Sequence, residues 1–138
     1  MQIKPVFCEV RYRLDPGKLD EFQEYAQAWV RLIERHGGVH HGFFMPRAAP
    51  SDATISFPGR GQAGPEDVAV ALYGFPSEEA HNDYRTQVGL DPEAAPVIER
   101  FAEPPFKSYE RIFLSPASIG TDDEADYGGK GSGARLPQ

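Results

Sequence analysis

The chain has 138 residues, 40% of them hydrophobic and 12% aromatic, with a formal net charge of −7 at pH 7. That length suits one domain around one core, and an acidic balance with scattered basic residues argues against nucleic acid as a partner. A single cysteine, Cys8, leaves no internal disulfide. No apolar run approaches the roughly 20 residues that span a bilayer, and MQIKPVFCEV lacks a leader pattern, so the expectation is a cytoplasmic protein without a membrane partner.

Val6 to Leu14 reads VFCEVRYRL. Val6, Cys8, Val10 and Tyr12 alternate with Glu9, Arg11 and Arg13, the period of two that marks a half-buried strand. Asp15 is a natural N-cap and Pro16 suits a first helical position. The spacing of Leu19, Phe22, Ala26, Trp29 and Ile33 predicts a helix with one apolar stripe, and Gly37-Gly38 a left-handed stop. VHHGFFM, residues 39–45, reads as a second strand. On simple alternation His41 shares a face with Phe43, and His40 with Phe44.

Residues 47–66, RAAPSDATISFPGRGQAGPE, read as a long Pro/Gly loop, the kind that serves as a lid or binding loop. VAVALYGF, residues 68–75, is apolar enough for a strand buried on both faces. Ser77 caps a second helix with Glu78 and Glu79 in its first turn, an inner stripe of Ala80, Tyr84 and Val88, and Gly89 at its end. Asp91-Pro92 opens a further helical piece that becomes regular at Pro96 and runs to about Ala102, with Val97, Ile98 and Phe101 facing the core. FKSYERIFL, residues 106–114, is the fourth strand. Residues 118–138 form an acidic, glycine-rich tail expected to be flexible, which leaves residues 1–117 as the domain.

The order β-α-β-β-α-β predicts an α+β, ferredoxin-like fold: a four-stranded antiparallel sheet with helices on one face. The other face would be left bare, and pairing two such faces would bury it in a symmetric homodimer.

Four segments in this order resemble NIPSNAP-domain proteins. Glu9 to Leu19 reads EVRYRLDPGKL, Ala71 to Ser77 reads ALYGFPS with Tyr84-Arg85 following, Asp91 to Glu93 reads DPE, and Tyr109 to Pro116 reads YERIFLSP. The resemblance spans residues 5–117 and implies a dimeric α+β barrel, a fold shared with small cofactor-independent monooxygenases and isomerases. One departure follows Gly42-Phe43-Phe44-Met45-Pro46. Arg47-Ala48-Ala49 stands where bacterial members carry a histidine, so no role for that histidine transfers.

In such a dimer Glu9 and Arg11 would line the lumen, with Arg111 on the neighbouring strand able to join them. Tyr73 would project to the same side, opposite Val70 and Leu72. Arginine suits an oxygen-bearing ligand because its planar fork binds oxygen pairs, yet the same residues serve equally as an interstrand ion-pair ladder. His41 is a candidate general base by its near-neutral pKa. Tyr84 and Arg85 enter as ligand candidates through the resemblance alone. His36, His40, His41 and His81 lack metal-ligand spacing, Cys8 falls on the core face, and Trp29 on the helix stripe; no metal or cofactor is expected. Two functions stay open. One is a small-molecule-binding barrel, with oxygenation or isomerisation of a small apolar substrate as its chemistry. The other is a non-catalytic homodimeric binding or scaffolding module.

Overall fold

The computed structural model describes residues 4–48 and 65–117; most of the predicted long loop and the predicted tail lie outside the described residues. Strand β1 covers Val6–Leu14, α1 Leu19–Arg35, β2 Val39–Phe44, β3 Val68–Phe75, α2 Glu78–Leu90, α3 Ala95–Arg100 and β4 Phe106–Leu114. The sheet is antiparallel in the order β2-β3-β1-β4, the ferredoxin-like arrangement. Among the described residues no helix is long and apolar enough to cross a membrane.

Asp15 caps not α1 but a single 3-10 turn, Pro16–Lys18, which leads into it; its carboxylate accepts from the Gly17 amide at 3.0 Å. Phe22, Leu32 and Ile33 are the buried residues of α1, whereas Leu19, expected on the stripe, is 41% exposed. The buried stripe begins a turn later, at Phe22. The helix stops where foreseen. Gly37 takes φ +95°, and a Cβ on Gly38 would come within 2.6 Å of Ile33 Cγ2 and 2.9 Å of the Phe75 ring. The chain can thus turn back against β3 only without a side chain there.

The core lies between the sheet and the helices: Cys8, Val10, Tyr12 and Leu14 from β1, Phe22 and Ile33 from α1, and Ala69, Ala71, Tyr73 and Phe75 from β3. Complete burial of Phe22 and Phe75 stabilises the fold by about 1.5–3 kcal/mol each. Strand β3 is covered on this face only. Val68, Val70 and Leu72 are half-buried, because the opposite face of the sheet carries no helix.

Ser77 caps α2, accepting from the Ala80 amide at 3.1 Å. The helix passes Gly89 and ends at Asp91; its buried residue is His81, while Ala80, Tyr84 and Val88 are half-buried. Helix α3 ends at Arg100, and Ile98 is 48% exposed rather than packed inward. Asp91 does more than cap. Its buried carboxylate accepts from Arg35 Nε at 2.7 Å and from the Glu93 amide at 2.9 Å, and lies 2.6 Å from His36 Nε2. Hydrogen bonds from Arg35 and the Glu93 amide hold it well below the usual carboxylate range, with His36 adding to them against the effect of burial. This hub fastens the end of α1 to the turn between α2 and α3.

Candidate functional site

Strand register decides which side chains can meet, since residues paired across antiparallel strands share a face. Cys8 pairs with Tyr73 and Phe113, Val10 with Ala71 and Arg111, and Tyr12 with Ala69 and Tyr109. All of these face the helices. Glu9 pairs with Leu72 and Ile112, and Arg11 with Val70 and Glu110, on the opposite, open face.

Two expectations are thereby corrected. Tyr73 points to the helices, and Val70 and Leu72 to the open face, the reverse of the sequence reading. Arg111 does not join Glu9 and Arg11 but lies on the far side of the sheet from them. Alternation along one strand says which residues share a face; only the pairing with β1 says which face that is.

A third correction concerns β2. His40 pairs with Tyr73 but Gly42 with Leu72, so His41 is the extra residue of a β-bulge. Gly42 there takes φ +115°. The bulge turns His40 to the helix side, stacked on Phe43 at 5.1 Å and on Tyr73 at 5.4 Å. His41 is left on the open face, stacked on Phe7 at 6.0 Å. The Gly42 amide donates to His40 Nδ1 at 2.9 Å, so the neutral ring carries its proton on Nε2. That nitrogen is buried without a partner among the described residues, as is His41 Nε2. Burial, with His41 adding to it, lowers the His40 pKa to about 4, which makes it a poor base at neutral pH.

On the open face, Arg11 and Glu9 pair at 3.1 Å, and Arg13 reaches Asp67 at 3.3 Å. Their charges are satisfied by one another, as in a ladder.

The helix side gathers more chemistry. Tyr12 packs edge-on to Tyr25 at 5.9 Å, Phe106 at 4.8 Å and Phe22 at 5.2 Å. Tyr84 of α2 lies 5.0 Å from Phe75, and His81 meets Phe75 at 5.3 Å and Phe113 at 5.6 Å. The helices pack chiefly over β2 and β3. The helix-facing side of β4 is left open, and Tyr109 is 53% and Phe113 58% exposed. Arg111 stands between them, its Cζ 5.4 Å from the Tyr109 ring centroid. It makes no hydrogen bond or ion pair among the described residues.

The charge of Arg111 reaches Cys8, Tyr12, Tyr25, Tyr73, Tyr84 and His81. Burial dominates all six groups. It pushes Cys8 and the four phenols up, Tyr84 to about 12, and pushes His81 down. At neutral pH the phenols and the thiol are therefore uncharged, and among the described residues Arg111 has no counter-ion beside it. Arg85 is exposed on α2, where its charge reaches His81.

Sequence reasoning thus named Tyr73, Tyr84 and Arg111 but put Tyr73 and Arg111 on the wrong face. It missed Tyr12, Tyr25 and His81 as neighbours of Arg111. The signal for Arg111 was the alternation Tyr109, Arg111, Phe113, which sets one strand face apart as aromatic and cationic. Among the described residues no group of three or more His, Cys, Asp or Glu side chains is placed to hold a metal ion. A surface depression lined by residues 16–21 shares no residue with this cluster.

The sequence matches the NIPSNAP family model over residues 8–120. No curated protein matches it. Among solved structures, a NIPSNAP family protein from Agrobacterium tumefaciens superposes with a TM-score of 0.61 at 19% identity, covering 84% of this chain and 89% of that one. An uncharacterised NIPSNAP-like domain protein from Burkholderia xenovorans gives 0.60 at 19% identity, covering 85% and 89%. A proposed antibiotic biosynthesis monooxygenase from Caulobacter crescentus gives 0.51 at 12% identity, covering 84% and 92%. At these identities the structural likeness shows the fold.

Proposed function

Because this chain belongs to the NIPSNAP family, whose fold leaves one sheet face bare and the other under helices, we propose a homodimeric protein that binds a small organic molecule along the helix-facing margin of β4. Arg111 carries this reading: a guanidinium unpaired among the described residues, amid buried tyrosines and exposed rings, where a ligand oxygen would meet a charge and its apolar body would meet Tyr109 and Phe113. Binding sites generally combine an apolar wall with a few convergent polar groups. Turnover, whether the oxygenation for which the Caulobacter neighbour is named or the isomerisation that the sequence resemblance implies, would draw on the same charge to stabilise a developing anion.

The open face is assigned to the second subunit. Phe7, Val70, Leu72, Ile112 and Leu114 lie on it, around a Glu9–Arg11 pair already satisfied. Sedimentation velocity at micromolar concentration should show a dimer; a stable monomer would remove that assignment. A ligand screen by thermal shift tests the site, with Arg111→Ala and Arg11→Ala beside the wild type. A compound that stabilises wild type and Arg11→Ala but not Arg111→Ala supports the β4 margin. Stabilisation lost in Arg11→Ala and kept in Arg111→Ala would place the site on the open face instead. A non-catalytic dimer is the second reading, favoured by the absence of a carboxylate paired with Arg111 among the described residues.

A further inference from the structure

We infer that the β4 margin takes its ligand as an anion: a flat aromatic or conjugated molecule bearing one ionised oxygen group, a carboxylate or a phenolate, held by Arg111 with its ring against Tyr109 and Phe113. The inference rests on the margin being the binding site and adds the chemical class of what binds there.

Four other arginines have carboxylate partners: Arg11 with Glu9, Arg13 with Asp67, Arg35 with Asp91 and Glu93, and Arg100 with Glu24. Arg111 has none among the described residues, its strand neighbour Glu110 pointing to the opposite face; Arg31, Arg47 and Arg85 have none either, but they lie outside the sheet, whereas Arg111 lies against the rings of its own strand face. Its surroundings are Tyr73, Tyr109, Tyr12 and Cys8, and burial keeps Tyr73, Tyr12 and Cys8 uncharged at neutral pH. A guanidinium offers five donors in a planar fork and no acceptor. The missing element is therefore an anionic oxygen acceptor, and one guanidinium balances one charge.

The shape of the margin sets the rest. Tyr109 and Phe113 flank Arg111 at i−2 and i+2 on the same face, about 7 Å away on either side along a strand. The guanidinium already lies over the Tyr109 ring at 5.4 Å. A fused ring spans this spacing. The carboxylates next to it in the sheet, Glu110 and Glu9, lie on the other face.

The test uses 2-naphthoate, its neutral counterpart 2-naphthamide, and 2-naphthol, titrated at pH 7.5 into wild type, Arg111→Met and Arg111→Lys. Arg111 is exposed on an edge strand, and circular dichroism checks that both variants fold. The expected result is at least about tenfold tighter binding of naphthoate than of naphthamide, the scale of a charge-assisted hydrogen bond. Arg111→Lys should keep most of that preference and Arg111→Met should abolish it while still binding the amide. Naphthol separates the two anion types: the absorption band of ground-state naphtholate appearing on binding below the pH at which free naphthol ionises admits phenolates, and a bound naphthol that stays protonated removes them from the class. Equal affinity for naphthoate and naphthamide in wild type would overturn the anion requirement and leave the binding site standing. No binding of any of the three would overturn both.

Discussion

Replacing His40 by Asn should flatten part of the pH dependence of stability. His40 is the half-buried neutral imidazole at the β2 bulge, its pKa lowered by burial to about 4 against an ordinary value of 6.5. Between those values the unfolded chain binds the proton that the folded chain refuses, so stability falls as pH falls from 6.5 to 4 and is free of this penalty above 6.5. At 1.36 kcal/mol per pH unit the full interval is worth roughly 3 kcal/mol, and solvent reaching a half-buried ring reduces it to about 1–2 kcal/mol. Asn keeps a side-chain acceptor for the Gly42 amide and removes the ionisable ring. Urea unfolding of both proteins at pH 4.5 and 7.5 gives the double difference. The variant should lose stability at pH 7.5 through the missing stacks on Phe43 and Tyr73, and the gap should narrow or reverse at pH 4.5. A gap identical at the two pH values would show that His40 is not held neutral by the fold.

Gly38→Ala should destabilise by about 1–3 kcal/mol, the usual cost of overpacking, because the new methyl meets Ile33 and Phe75 below contact distance; an unchanged melting temperature would refute that packing. Cys8 is fully buried and burial raises its pKa, so a thiol reagent at pH 8 should label it only at the rate of unfolding, and fast labelling of native protein would contradict its placement. Asp91 has a folded pKa depressed below 3.8, so its contribution is present above that value and lost as pH falls through the lower one. Asp91→Asn should therefore be less stable than wild type at pH 7 with a deficit that shrinks below pH 3.8, and a deficit independent of pH would mean that the charge of the hub is idle.

The elements were legible because each carries a local signal. Alternation in β1, the Ser77 cap and the Gly37-Gly38 stop are written in neighbouring residues and appear where they were read. The side each strand presents is not local. Tyr73 and Arg111 acquire their common face through pairing with Cys8 and Val10 of β1, a contact between distant parts of the chain. The bulge at His41 reverses the expected partners of His40 and Phe43, and its mark in the sequence, a lone Gly42 inside a strand, also fits a close backbone approach. The Asp91 hub was half visible. Asp91-Pro92 signals a cap, but Arg35 and His36 reach it only once α1 and α2 are packed. The resemblance to NIPSNAP domains pointed to the fold, and the fold then moved the candidate site from Glu9 and Arg11 to the other side of the sheet.

Whether the proposed ligand binds, and on which side of the sheet, is answered most directly by nuclear magnetic resonance of protein carrying carbon-13 in its tyrosine rings and in its Ile, Leu and Val methyl groups, titrated with 2-naphthoate. Binding at the β4 margin should shift the ring signals of Tyr109, Tyr12 and Tyr73 and leave Val70, Leu72 and Ile112 in place. Shifts concentrated in Val70, Leu72 and Ile112, with the tyrosine rings unmoved, would contradict a site at Arg111.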